Sequence, residues 1–380
     1  MPTRSVLREP GMPLLVLMTG LGFSGYAALL PVAPLWAVHG GAGAQGAGAV
    51  NGVLMLFTVL TQLVVPRALR LLGWTPVLGA GMLLLGAPTA LFALSDSLSL
   101  ILLVSAVRGM GFGVLTVTGS ALVAELVEPA RRGQAIGVYG LAIAAPQILF
   151  VSGGPWAVEH LGYGVIFAIG LLPVIGAVPA MMLGRRVDHV PDPTEPPPYL
   201  SLLRPMALLL AVTLAGGALI TFMAPMSDSA LLSTLALLCM TAVAAVARWK
   251  AGGLADRHGA RAFIWPLVLL TVVGMSVVAW AVRDPQATTA WALLLGATIV
   301  GVSYGGLQNL TLVVAFESVS RPHYGAASAV WNVGFDAGTG AGAVMIGLIA
   351  GGSSYSTAML VGGAVSLLTV PLALARPRLR

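Results

Sequence analysis

Apolar residues occur along the chain in long stretches, separated by short segments that are polar or rich in glycine. Each stretch holds about 20 residues, the length that a helix needs to cross a bilayer. The pattern predicts an all-α polytopic membrane protein with twelve transmembrane helices. These lie near residues 12–36, 47–66, 75–94, 98–123, 134–157, 162–183, 204–225, 229–248, 263–282, 288–315, 326–350 and 355–375.

The longest polar segment divides the predicted helices into two groups of six. It runs from Arg185 to Ser201 and is rich in proline and charge, which is typical of a linker. We expect a six-helix bundle at residues 1–184, a cytoplasmic linker at 185–202 and a second six-helix bundle at 203–380. The alternative, a mere surface loop, implies the same division.

The two halves of the sequence resemble each other, which predicts pseudo-symmetric bundles. A shift of 192 residues aligns Glu125 with Glu317, Gly133 with Gly325, Gly109 with Gly301 and Gly113 with Gly305. Many secondary transporters are built from such repeats, with the substrate site between the halves near the bilayer midplane. Two charges break the symmetry, since Arg108 falls on Val300 and Asp336 on Ala144.

Composition places the chain in a bilayer. It is 58% hydrophobic and 8% charged, whereas soluble domains carry about 25% charged residues. The single cysteine, Cys239, excludes an internal disulfide and a cysteine-based metal cluster, and we expect no cofactor. The net charge of +6 does not indicate nucleic-acid binding, because the basic residues are scattered in short clusters between apolar stretches.

The distribution of Lys and Arg predicts the orientation. With a cytoplasmic N-terminus, seventeen of the 19 basic residues, Arg248 among them, fall on the cytoplasmic side. Arg283 falls outside and Arg108 lies within a predicted helix. This bias favours a multi-pass protein of the cytoplasmic membrane with both termini in the cytoplasm.

Asp336 is the acid that lies deepest in an apolar stretch. It sits about ten residues, or roughly 15 Å at helical rise, into an uncharged segment that extends from Ala326 to Tyr355. An ionised group at that depth costs several kcal/mol unless it is paired, solvated or protonated. Asp336 therefore becomes a candidate proton-coupling residue, with a neutral or hydrogen-bonded structural aspartate as the alternative.

Arg108 is the base inside an apolar stretch, and it is the second proton-coupling candidate. Arginine stays charged at any accessible pH, so its guanidinium needs an acceptor. Gly109 and Gly113 are four residues apart and allow a neighbouring helix to pack closely. A structural arginine, satisfied by carbonyl groups in the bundle, is the alternative.

Helical spacing assigns two faces to the eleventh predicted helix. Asn332, Asp336 and Gly340 share one face, because they lie four residues apart. A second face, about 160° away at 3.6 residues per turn, carries Gly334, Gly338 and Gly342. We expect the glycine face to pack on neighbouring helices and the Asn–Asp face to look toward the central cavity.

The segment from Gly253 to Arg261, GLADRHGAR, is a glycine-bounded turn that carries acidic and basic side chains at two helix ends. It resembles the loop signature G-x-L-a-D-r-x-G-r-r of the major facilitator superfamily, and the layout of twelve helices extends the resemblance to the whole chain. The corresponding first-half loop departs from the pattern, since Arg70 stands where an acid is expected. The resemblance implies a cytoplasmic gate, with solvated surface charge as the alternative. The candidate gate residues are Asp256, Arg257, Arg261, Glu125, Arg132 and Glu317.

Further motifs resemble branches of the same superfamily. Arg108 with the glycines that follow it is similar to the fourth-helix signature of proton-coupled members, in which the base is linked to proton transfer. The stretch from Gly140 to Trp156 is similar to the antiporter signature G-x(8)-G-P-x-x-G-G, although its spacing differs. The segment around Asp336 resembles the eleventh helix of exporters for small metabolites and opine-type metallophores.

Polar residues inside other apolar stretches are candidates for the substrate-binding wall by side-chain chemistry alone. The alternative for each is packing or hydrogen bonding between helices. They are Tyr26, Asn51, Gln62, Tyr139, Gln147, Tyr304, Gln308, Asn309 and Asn332.

These observations predict a monomeric proton antiporter that exports a drug, metabolite or metallophore. An uptake symporter for a sugar or other small metabolite is the second hypothesis. A membrane-embedded enzyme is the third, although no HExxH run exists and ionisable residues within the apolar stretches are scarce. A non-transporting receptor, the fourth, would not require charges near the midplane. We therefore expect small-molecule substrate, protons and lipid as partners, and no enzymatic activity.

Overall fold

The computed structural model describes residues 6–128, 132–187, 199–284, 287–320 and 323–374, and this part of the chain is helical with no strand. It contains the twelve helices that the sequence predicts, each long and apolar enough to cross a membrane. They are α1 (Met12–His39), α2 (Ala44–Leu72), α3 (Trp74–Ala93), α4 (Leu98–Val123), α5 (Gly137–Leu161), α6 (Tyr163–Gly184), α7 (Tyr199–Phe222), α8 (Ala230–Ala255), α9 (Arg261–Ala281), α10 (Ala290–Glu317), α11 (Ala326–Gly352) and α12 (Tyr355–Leu374).

Two helices run further than the apolar stretches that predict them. α2 continues to Leu72, and the helix that contains α8 continues to His258. Both end next to a glycine in the left-handed region, Gly73 with φ 78° and Gly259 with φ 81°, a conformation that favours glycine and terminates helices. Arg248, expected at the cytoplasmic end of its predicted helix, therefore lies within α8.

Three helices are irregular. The last part of α3, Ala87–Ala93, is a 3₁₀-helix, and Gln147–Val151 in α5 forms a π-helical turn. Pro146 precedes that turn, and proline disturbs a helix because it lacks an N–H donor. α6 is interrupted at Leu171, between Tyr163–Gly170 and Leu172–Gly184.

The chain divides into two compact units. The first comprises Met1–Gly40 and Val53–Pro193, and the second comprises Gly41–Gly52 and Thr194–Arg380. Within the first unit, α1 packs on α4, α5 and α6, and α3 packs on α4 and α6. Within the second, α7 packs on α10, α11 and α12, and α9 packs on α10 and α12. Each pairing recurs six helices later, as the predicted repeat requires.

Glycines set the distance between the corresponding helices α2–α4 and α8–α10. A Cβ atom added to Gly113 of α4 would lie 2.6 Å from the carbonyl oxygen of Thr58 in α2. A Cβ added to Gly301 of α10 would lie 2.6 Å from the carbonyl oxygen of Met240 in α8. The backbones thus approach so closely that only glycine fits at these positions, as in small-residue interfaces of membrane helices.

We expect Gly305→Ala to destabilise the second unit. A Cβ at this position would overlap the backbone carbonyl of Ala244, which cannot rotate away, and such overpacking costs about 1–3 kcal/mol. The melting temperature in detergent should fall. Gly140→Ala is the matched control, because no atom lies within 4 Å of the added Cβ. An unchanged melting temperature for Gly305→Ala would contradict the close packing of α8 on α10.

Candidate functional site

Glycines on α11 fix the orientation of this helix in the second unit. A Cβ on Gly338 would lie 2.6 Å from the carbonyl oxygen of Leu210 in α7, and one on Gly334 would lie 2.9 Å from the Cγ atom of Met206. The predicted packing of the glycine face is therefore confirmed. Because Asp336 lies between these glycines along the helix, their packing also fixes the direction of its side chain.

Asp336 is buried near the middle of α11. Its side chain is 3% exposed, and it lies roughly 15 Å from the start of the helix at Ala326. Its carboxyl group acts electrostatically on the hydroxyl of Tyr304 in α10. Two candidates that the sequence placed on different helices are thus neighbours within one unit.

Two further aromatic rings lie close to this pair. The ring of Tyr304 lies 6.1 Å from that of Phe335, and Phe335 stacks on Trp331 at 5.6 Å between centroids. Gly216 of α7 makes room for Tyr304, because a Cβ there would overlap the tyrosine ring. The indole N–H of Trp331 donates to the hydroxyl of Thr311 at 3.1 Å. Tyr304, Phe335 and Trp331 thus form a continuous aromatic wall next to Asp336, in which Phe335 is half-buried and the other two rings are buried.

Arg248 is a member of this cluster that the sequence did not predict. Its guanidinium Nη1 donates to Oε1 of Gln308 at 3.3 Å and acts electrostatically on Tyr304. Gln308 is buried, whereas Arg248 is exposed. Its position at the end of an apolar stretch, in the sequence RWK, predicted a residue at the cytoplasmic end of the helix. The missed signal is Gly259, which ends the helix only eleven residues later.

The other candidates on α10 and α11 make different contacts. Asn332 is half-buried, and its Nδ2 donates to the carbonyl oxygen of Ser328 at 3.0 Å, one turn earlier. Asn309 faces Gly252 of α8. Its Oδ1 atom is buried without a hydrogen-bond partner in the described part of the chain. The structure therefore brings Tyr304, Gln308, Asp336 and Arg248 together and leaves these two amides beside them.

In the first unit, Arg108 of α4 is 2% exposed. Its guanidinium donates to the hydroxyl of Thr89 in α3 and, at 3.0 Å, to the carbonyl oxygen of Gly25 in α1. The Thr89 hydroxyl in turn donates to the carbonyl oxygen of Gly170 in α6 at 3.3 Å. Arg108 thus joins four helices through neutral oxygens, at the 3₁₀ turn of α3 and the interruption of α6.

Of the first-unit binding candidates, Tyr26 lies beside this arginine. Its hydroxyl acts electrostatically on Arg108, and its ring stacks on Phe112 at 3.7 Å with an interplanar angle of 4°. Gln62 instead donates to the hydroxyl of Thr116 at 3.0 Å, further along α4.

Two further candidates lie elsewhere in the first unit. Tyr139 packs against Gly119 of α4, and Gln147 lies half-buried in the π-helical turn of α5. The structure does not bring these side chains to Arg108.

Asn51 does not belong to the first unit, where the sequence placed it. It lies in Gly41–Gly52, the part of α2 that clusters with the second unit. Its Nδ2 donates to the hydroxyl of Thr221 in α7 at 2.9 Å. Side-chain chemistry identified Asn51 as a polar residue within a helix, but its partner depends on how the start of α2 packs.

The predicted cytoplasmic gate is described in part. The side chains of Arg132, Asp256 and Arg257 lie outside the described residues. Those of Glu125, Arg261 and Glu317 are exposed near helix ends. The ion pair recorded in the described part of the chain joins His39 and Asp96 at 3.1 Å, and both of these residues lie elsewhere. The gate remains a prediction.

Comparisons with known proteins agree with this architecture. The family model described as Major Facilitator Superfamily matches residues 14–282. Among curated proteins, an uncharacterized MFS-type transporter of Mycobacterium tuberculosis is 27% identical over 191 residues, in strain CDC 1551 / Oshkosh and in strain ATCC 25618 / H37Rv. The alignment covers 50% of this chain and only 27% of each relative.

Among solved structures, a bacterial homolog of the human lysosomal transporter Spinster has the same fold. Its inward-facing, unoccupied form has a TM-score of 0.72 at 14% identity, covering 96% of this chain and 94% of that one. Its inward-facing, occupied form has a TM-score of 0.73 at 15% identity, covering 98% and 96%. With the family match over most of the chain, these findings identify it as a multi-pass membrane protein that belongs to the major facilitator superfamily.

Proposed function

We propose that the protein exports a small organic molecule, such as a drug, metabolite or metallophore, in exchange for protons. Transport would proceed by alternating access of the repeated halves, with Asp336 as the group that exchanges its proton for the substrate. The observation that carries this proposal is the burial of Asp336 in the middle of α11, beside the Tyr304 hydroxyl.

The coupling follows from the energy of a buried carboxyl group. Burial in an apolar environment favours the neutral form of a carboxyl group in general, and a nearby positive charge favours its ionised form. A substrate that brings a cationic group to Asp336 would therefore replace the proton. One carboxyl group cannot bind the proton and the cationic group of the substrate at the same time, so the two compete. The protein would therefore bind substrate on the side where substrate is abundant and a proton on the more acidic side.

Arg108 is the second residue that we assign to coupling. It carries a permanent charge, while its recorded contacts in the described chain are a hydroxyl and a carbonyl oxygen. A buried cation without a carboxylate partner is costly, and this cost supports a role in transport. The electrostatic cost of the unpaired guanidinium would favour any step that brings negative charge toward α4.

The remaining features of the proposal come from the sequence. Export is supported by the absence of an acid from α1 and by the resemblance to exporters. The charge bias supports the cytoplasmic membrane with both termini in the cytoplasm. We further propose a monomer whose gate closes through the charged ends of the helices.

Two measurements test the function. A compound screen on purified protein in weakly buffered detergent should find ligands whose binding releases protons. In proteoliposomes, such a ligand should accumulate when the lumen is more acidic than the bath, and a protonophore should abolish the accumulation. This expectation does not depend on how the protein is oriented in the liposome, because the gradient alone sets the direction.

Other outcomes would contradict the proposal. Proton uptake on binding, with accumulation only when the bath is the more acidic side, would establish symport instead. Ligand binding without any accumulation would favour a receptor. If the ligand accumulates independently of the pH difference, transport is not coupled to protons, and Asp336 has no role as the coupling residue.

A further inference from the structure

Arg248 has no role in the exchange described above, yet it lies within the same cluster. Arg248 is exposed, while Gln308 and Tyr304, which its guanidinium approaches, are buried. The next residue, Trp249, is strongly exposed and points about 100° away at helical spacing. The contact with Gln308 therefore places the head group of Arg248 on the α10 side of α8.

The cluster holds one permanent positive charge, on Arg248, and one carboxyl group, on Asp336. Both Arg248 and Asp336 act electrostatically on the Tyr304 hydroxyl. The amide of Gln308 lies one helical turn from Tyr304 and bonds to the arginine. The rings of Phe335 and Trp331 extend the site as an apolar surface.

We propose that Arg248, Tyr304, Gln308 and Asp336 form the binding site of a zwitterion, a small molecule with one amine and one carboxylate. This inference rests on the proposed proton exchange at Asp336. The guanidinium of Arg248 would hold the carboxylate through paired hydrogen bonds, for which its planar geometry is suited. The ammonium group would take the place of the proton on Asp336, and the aromatic wall would contact the rest of the molecule.

The charge balance of this exchange can be written in full. With Asp336 protonated and no ligand bound, the site carries the single positive charge of Arg248. When the zwitterion binds, the proton of Asp336 passes to water, and the charges of Arg248 and Asp336 cancel around a neutral ligand. One proton exchanged for one zwitterion moves one net charge across the membrane per cycle. One proton exchanged for a monovalent cation would move none.

The test uses ligands that differ only in charge. The standard α-amino acids with uncharged side chains are first screened as zwitterions by calorimetry on the full chain in detergent. The tightest of them is then compared with its amide, which is a cation, and its N-acetyl derivative, which is an anion. We expect the zwitterion to bind at least about tenfold more tightly than either derivative, because each loses one charge-assisted hydrogen-bonded contact.

Arg248→Gln should weaken binding of the amino acid at least about tenfold and leave binding of its amide within about twofold. Arg248→Lys keeps the positive charge but lacks the planar guanidinium group. It should retain part of the preference for the amino acid over its amide. Lys250→Gln is the matched control, because it removes the same charge two residues away, where the lysine lies over Trp249. Equal binding of the three ligand forms, no binding of any amino acid at millimolar concentration, or an unchanged preference in Arg248→Gln would overturn the proposal.

A transport measurement separates this inference from the function on which it rests. At equal pH, a lumen-positive potential, set with valinomycin and an inward potassium gradient, should drive accumulation of the amino acid and not of its amide. If the amide accumulates with the pH gradient while the amino acid does not bind, the proposed proton exchange is supported and the zwitterion site is wrong. If neither ligand releases protons on binding, the proposed function itself fails.

Discussion

Asp336→Asn is expected to abolish substrate accumulation driven by a pH gradient, while the protein stays folded. Uptake should fall to the background measured with empty liposomes. Asparagine has nearly the same shape as aspartate but cannot exchange a proton. Asp336 is 3% exposed in the middle of α11, and the amide that replaces its carboxyl group cannot take up or release the exchanged proton. The measurement is accumulation of a screened substrate in proteoliposomes with an acidic lumen.

The melting temperature of Asp336→Asn should change little, because the substitution conserves volume and removes a group that is costly to ionise when buried. Substrate affinity gives a second readout. In the wild type, a substrate that competes with the proton should bind more tightly as the pH rises, since fewer carboxyl groups are then protonated. In the variant this pH dependence should vanish.

The control for Asp336→Asn is Glu159→Gln, which removes a carboxylate from an exposed position in α5 and should transport normally. A pH-driven rate equal to the wild type in Asp336→Asn would exclude this residue from coupling. A loss of folded protein in the same variant would instead assign Asp336 a structural role, which is the alternative that the sequence leaves open.

The fold was predictable because membrane helices carry a strong signal. Nothing but an apolar stretch of sufficient length can cross a bilayer as a helix, and all twelve predicted helices are present. The ends were less accurate, because a helix can continue into water beyond the apolar stretch. α8 shows the reason: the helix passes Arg248 and ends where Gly259 takes a positive φ.

The two buried charged residues were also predictable. Arg108 and Asp336 stand out because a charge inside an apolar stretch is expensive, whatever its partners. Spacing also predicted the glycine face of α11, since close helix packing requires small side chains at regular intervals. These predictions need only the sequence and the geometry of a single helix.

The partners of polar residues were not predictable, because they depend on the rotation and packing of neighbouring helices. Gln62 and Asn51 lie on the same helix, yet one bonds to Thr116 of α4 and the other to Thr221 of α7. Arg248 was missed for a related reason, since only the contact with Gln308 distinguishes it from a charge at a helix end.

Arg108→Met is expected to abolish transport in a protein that remains folded. Methionine fills much of the space of the arginine stem but removes the charge, and a buried charge replaced by an apolar residue of similar volume often leaves stability unchanged or improved. Both variants deprive the oxygens of Gly25 and Thr89 of their donor. Arg108→Ala should be more disruptive, because it also leaves a cavity. Comparing the Arg108→Met and Arg108→Ala variants therefore distinguishes the effect of losing the guanidinium from the effect of losing side-chain packing.

The decisive comparison for Arg108 is between transport rate and melting temperature across the two variants. If the charge acts in transport, Arg108→Met should be inactive even when its melting temperature equals that of the wild type. Arg185→Met makes the same substitution at an exposed position and should leave both quantities unchanged. Normal transport in a stable Arg108→Met variant would exclude Arg108 from coupling, and it would show that neither the charge nor the hydrogen bonds of the guanidinium to α1 and α3 are needed.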